Sequence, residues 1–224
     1  MLGHQQPDGS LSGDLTATAP LVWAQAEAGS ANNGAVSFLR TAVNPDGGWG
    51  VCGVSTTWKT TLTLLALLRS GMPASDPLAA TAVAWMERRQ GILGDVRNTG
   101  ETAVALLALL AAGHTPVPET DTTPANASQK ARDFLRATVA TDGIWGRDEA
   151  LGSVGTTALA LLALSAAQPL ASEVTQAQTF LASTRAPGVG VAVLPVLFRS
   201  LRFPKISSPP DGFALPGPRA RDCD

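Results

Sequence analysis

"FLRTAVNPDGGWG" (residues 38–50) and "FLRATVATDGIWG" (residues 134–146) are nearly the same phrase, written twice in one chain. Each reads as the end of a helix, a glycine turn and a tryptophan just beyond it. Self-similarity at a regular spacing is read first, because a missed repeat miscalls the whole fold. The aromatic that opens the phrase recurs as Phe38, Trp85, Phe134 and Phe180, at steps of 47, 49 and 46 residues. Five residues after the first three stand Val43, Gln90 and Val139, and four further on stand Gly47, Gly94 and Gly143. The same frame puts Gln5 and Gly9 of "QQPDGS" in an earlier copy, while "FLASTRAPGVG" keeps only Phe180 and Leu181 of a later one.

A second phrase follows each glycine turn: "LTATAPLVWAQAEAG", "TTLTLLALLRSG", "ETAVALLALLAAG" and "TTALALLALSAAQ". The first three close on Gly29, Gly71 and Gly113, suited to helix C-termini that need a left-handed residue. Their apolar positions run all round the helix, as in Leu106, Leu107, Leu109 and Leu110, which predicts burial on every side. The preceding helices are amphipathic. In "ASQKARDFLRAT", Ala131, Phe134 and Leu135 share one stripe, with Lys130, Arg132, Asp133 and Arg136 elsewhere. Each unit is therefore an outer helix, a glycine turn and an inner buried helix. Ser55, Thr56, Thr57, Thr99, Thr156 and Thr157 cluster where the inner helices begin and are expected to cap them. Each tryptophan is expected to cover a helix end.

Composition agrees with a packed helical core. Of 224 residues, 45% are hydrophobic and 15% charged, which sets the chain apart from disordered sequences. A formal charge of −2 gives no electrostatic case for nucleic acid. Cys52, Cys223, His4 and His114 show no metal-ligand spacing, so no metal or other cofactor is expected. Two distant cysteines favour a reducing compartment. No apolar run reaches the roughly 20 residues that span a bilayer, and "MLGHQQPDGS" lacks the features of a signal peptide. The expected setting is cytoplasmic, with peripheral attachment to a membrane as the variant.

The residues also carry a resemblance. Squalene and oxidosqualene cyclases repeat a motif of Lys or Arg, Gly or Ala, two residues, an aromatic and Leu, three residues, Gln, three residues, Gly, one residue, Trp. "KARDFLRATVATDGIW" (130–145) fits except that Val139 stands for Gln. "GAVSFLRTAVNPDGGW" (34–49) fits with Val43 for Gln and Gly34 for the basic residue. "WMERRQGILGDV" (85–96) keeps Trp85, Gln90 and Gly94 but has Val96 at the tryptophan, and "QQPDGSL" keeps Gln5 and Gly9 with Leu11 there. The repeat-motif set is thus Gln5, Gly9, Phe38, Gly47, Trp49, Trp85, Gln90, Gly94, Phe134, Gly143 and Trp145, and its role is read as structural. The chain resembles the terpenoid cyclase and protein prenyltransferase superfamily.

That resemblance implies an all-α fold, an α/α toroid of six inner and six outer helices. Residues 1–185 would supply about four repeats of it, an incomplete α6/α6 barrel. Three explanations for the shortfall stand open: a fragment of a longer protein, an arc closed by a partner such as a second copy, or a degenerate member. The implied reaction is proton-initiated cyclisation of a polyprenyl substrate by a class II terpene cyclase, an isomerase, with an isoprenoid ligand. The alternative is a non-catalytic helical-repeat module that binds an apolar ligand or a protein.

Class II cyclases protonate an alkene with an aspartate in a DxDDTA-like stretch at an inner-helix start, facing an aromatic-lined cavity. The nearest echoes are Asp14 in "SGDLTATA" and Glu101 in "NTGETAVA", each without an acidic neighbour in the motif, so the catalytic residue is left unassigned. A lone acid at a helix start ordinarily complements the helix dipole. Trp23 and Trp58 are the aromatics left over for a cavity. The zinc site of prenyltransferase beta subunits has no match, since no histidine follows Cys52 at a fitting place. Residues 113–126 read as a long loop between repeats. Residues 186–224 read as a degenerate repeat or a Pro-rich tail, and 186–205, with Arg199, Arg202 and Lys205 beside an apolar run, could lie on a membrane surface.

Overall fold

The computed structural model describes residues 5–92, 94–116, 124–146, 152–167 and 172–183. The tail at 186–224, its membrane-surface segment, His4, Cys223 and the middle of the 113–126 loop lie outside these. The described residues form eight helices. The inner set is α1 (Leu15–Glu27), α3 (Thr57–Arg69), α5 (Thr99–Ala111) and α7 (Gly152–Ala167); the outer set is α2 (Asn33–Thr41), α4 (Pro77–Arg89), α6 (Ala127–Thr138) and α8 (Ser172–Ser183). The inner helices pack in sequence, α1 on α3, α3 on α5 and α5 on α7, with the outer helices behind them. At the C-terminal ends of α1 and α3, Glu27 and Arg69 form an ion pair of 3.1 Å, so these two inner helices run parallel. The fold is all-α at this level.

One short sheet is added that the sequence reading lacks. Strands β1 (Gly50–Val51) and β2 (Val54–Ser55) pair antiparallel, Gly50 opposite Ser55 and Val51 opposite Val54. Cys52 and Gly53 at its tip have φ of +53° and +74°, the positive pair a tight hairpin reversal demands.

Burial follows composition most fully in the two middle inner helices. Every residue from Thr60 to Leu68 in α3 and from Thr99 to Leu110 in α5 is buried. In α1 only Leu15, Thr18, Ala19 and Val22 are buried, and in α7 Val154 is exposed while Ala158 and Leu159 are half-buried. Among the described helices each packs closely on one inner neighbour, α3 and α5 respectively. The expectation of all-round burial fails in both. The outer helix α6 keeps its stripe in modified form: Ala131 and Leu135 are fully buried, Phe134 is half-buried, and Arg132 is buried too, in an ion pair of 2.8 Å with Asp133.

Helix ends follow local chemistry. Gly29, Gly71 and Gly113 take φ of +71°, +102° and +86° after α1, α3 and α5. The next N–H then reaches back to close the end: Ser30 to the Gln25 carbonyl, Met72 to Leu67 and His114 to Leu109. At the N-termini the capping residues are Asp14, Asn32, Thr56, Asp76, Asn98 and Asn126. Of the Ser/Thr cluster expected to cap, only Thr56 does so among these ends. Thr99 is the first residue of α5 and follows its cap, Asn98, and Thr157 lies inside α7.

The threonines inside the inner helices hold the repeat together. The backbone N–H at each tryptophan position donates to a fully buried threonine one turn into the next inner helix. The pairs are Leu11 to Thr18, Trp49 to Thr60 and Val96 to Thr102, each 2.9 Å, and Trp145 to Thr157 at 3.0 Å. Both tryptophans also donate their indole N–H at 2.7 Å, Trp49 to the Leu39 carbonyl and Trp145 to Leu135. Those carbonyls sit in the last turns of α2 and α6, where the helix has no further N–H to offer them. The tryptophan therefore satisfies the end of its own outer helix while filling the core.

Candidate functional site

Turns of all four repeats lead into inner helices, and the frame just described gives every repeat the same orientation, so the inner-helix N-termini share one rim. The sequence elements that raise functional questions collect on that rim. Asp14 is the exposed N-cap of α1, its carboxylate accepting the Thr16 N–H at 2.9 Å. Glu101 lies buried in the first turn of α5, its backbone N–H donating to the Asn98 side chain at 2.8 Å and its carboxylate accepting from the Asn98 amide at 3.2 Å. Arg97 stands 3.7 Å from the same carboxylate. Both acids are thus built into helix starts, at the end where the dipole favours negative charge.

The two spare tryptophans do not meet. Trp58 is the second residue of α3, half-buried against the core, whereas Trp23 is near the end of α1 and donates its indole N–H to Glu27 at 3.0 Å. With α1 and α3 parallel, they sit at opposite ends of the pair, on the order of 10 Å apart along the axis at 1.5 Å per residue. Of the motif aromatics, Phe38, Trp49, Trp85 and Trp145 are buried in the core and Phe134 and Phe180 pack against it.

Each motif glycine takes the next outer helix. Gly9, Gly47, Gly94 and Gly143 have φ between +79° and +91°. A Cβ on them would strike Gly34, Thr81, Lys130 and Gln176 respectively, in each case the residue four before the next repeat's aromatic. Where the motif glutamine is present it ties the same joint. Gln5 donates its amide to the Gly9 carbonyl (2.8 Å) and the Asn32 side chain (3.1 Å). Gln90 donates to the Gly94 (3.0 Å) and Ala127 (2.9 Å) carbonyls.

Where Val43 replaces the glutamine, Asp46 makes the joint instead. Its carboxylate accepts from the Ser55 hydroxyl at 2.6 Å and the Trp85 indole N–H at 2.8 Å, and the Gly48 N–H lies at 3.1 Å. The Arg89 guanidinium stacks 4.8 Å over the Trp85 ring. What burial there is pushes the Asp46 carboxyl up. The Ser55, Trp85 and Gly48 donors and the nearby Arg89 charge outweigh it and leave the group below its ordinary value. A depressed folded-state value means stability present above the unfolded carboxylate range near pH ~4, lost as pH falls through the folded value. Asp46→Asn is expected to lower the urea midpoint at pH 7, with the gap to the wild type closing in acid below that range. A gap that does not change with pH removes the charge from the account.

Other polar candidates serve the fold. The His114 side chain is exposed, and its carbonyl accepts from the Ser128 hydroxyl, fixing the start of α6. Cys52 stands at the tip of the β1–β2 hairpin, where its positive φ serves the reversal. Among the described residues no group of three His, Cys, Asp or Glu is placed to hold a metal ion. No described helix is long and apolar enough to cross a membrane.

Strained and exposed positions gather at the starts of the inner helices. Ser12, Cys52 and Arg97, the non-glycine residues with positive φ among those described, each lie in a turn shortly before an inner helix. Val51, Val54, Ile92 and Val154, the exposed large apolar side chains among the described residues, lie in the turns before inner helices or in their first turn. The sequence reading did not single out Thr18, Thr60 and Thr102 and took Thr157 for a cap; measured from the tryptophan position the interval to the buried threonine varies. Measured from the helix cap it is constant: Thr18, Thr60 and Thr102 stand four residues after Asp14, Thr56 and Asn98. The chain matches no protein-family model and no curated protein sequence.

Proposed function

We propose that this chain is an arc of a squalene/hopene cyclase-like α/α toroid that works as a helical-repeat module, holding an apolar ligand or a protein partner, and does not itself run the proton-initiated cyclisation. The side-by-side inner helices with outer helices behind them support the toroidal reading. What carries the non-catalytic reading is the state of the two acids nearest the cyclase pattern. An alkene-protonating acid must face its substrate with a free proton. The Asp14 carboxylate instead accepts a backbone N–H as a helix cap, and Glu101 is engaged by Asn98 and Arg97.

The test is incubation of the purified chain with squalene in detergent, with product analysis for polycyclic hydrocarbons and, in parallel, tryptophan fluorescence on titration with squalene. The expected result is no polycyclic product. Saturable quenching identifies the apolar ligand, and its absence leaves the protein partner. Polycyclic product that falls by about a hundredfold or more in Asp14→Asn or Glu101→Gln, the order of a lost general acid, overturns the reading in favour of a class II cyclase.

A further inference from the structure

We draw no further inference here: the strongest candidate, the exposed apolar side chains Val51, Val54 and Ile92 in the turns that precede the inner helices α3 and α5, is an apolar surface for which nothing in the structure shows what covers it.

Discussion

Replacing Trp49 by alanine is expected to destabilise the protein by about 3–5 kcal/mol, the range for deleting a large buried aromatic. The side chain is fully buried, so its removal opens a cavity in the layer between α2 and α3. It also strands the Leu39 carbonyl, which has the indole N–H as its partner at 2.7 Å. For a chain of this length the loss corresponds to a fall in Tm on the order of 10 °C. Trp49→Phe separates the two contributions. It keeps most of the apolar volume but leaves the carbonyl without a donor, so a smaller loss of about 1–3 kcal/mol is expected. Urea unfolding followed by circular dichroism at 222 nm reads both variants. If alanine costs less than about 1 kcal/mol, the tryptophan does not join the outer helix to the inner one as described.

Gly94→Ala is the second large effect. At φ +91° any L side chain is strained, and here the new Cβ would also overlap the Lys130 carbonyl of α6. A helix backbone cannot rotate away as a side chain can, so the turn and α6 must part. Gly113→Ala supplies the control. Its φ is +86°, but a Cβ there meets nothing within 4 Å. The control therefore carries only the left-handed penalty of roughly 1–2 kcal/mol. The Gly94 variant is expected to exceed it by at least ~2 kcal/mol, in the range of a forced core distortion. Equal losses in the two variants, measured by the same unfolding experiment, would mean that close approach to the next repeat contributes nothing and that only the turn requires glycine.

These two substitutions mark how far the sequence could be read. The repeat, its period and the alternation of amphipathic with wholly apolar helices were legible because burial imposes a pattern on residue type at every turn of a helix. The closing glycines after α1, α3 and α5 were legible for a similar local reason, since little besides glycine takes that backbone freely. The placing of a tryptophan over a helix end could be anticipated; the carbonyl it serves could not. The hairpin at 50–55 escaped notice because a pair of two-residue strands leaves no period to detect.

The candidate site was less legible than the fold. That Asp14 and Glu101 precede inner helices is plain from the chain, but whether such a carboxylate is free or tied depends on neighbours a few ångströms away. Asp46 shows the same limit. In sequence it is one aspartate in a turn; in three dimensions it accepts from Ser55 and from Trp85, 39 residues further on, at the joint where Val43 has displaced the motif glutamine.

By itself, then, the sequence determined the helical repeat, its inner and outer layers and the glycines at which the chain reverses, because these rest on local backbone preference and on the regular burial of one face. Only the tertiary structure decided that the parallel inner helices set Trp23 and Trp58 at opposite ends, that α1 is buried on one face only and that buried threonines and Asp46 bind one segment to the next. The physical reason is that these relations depend on how whole elements pack on one another. The threonine bonds span only 6 to 12 residues, yet they form because a turn folds back onto the next helix, and the Asp46–Trp85 bond spans 39.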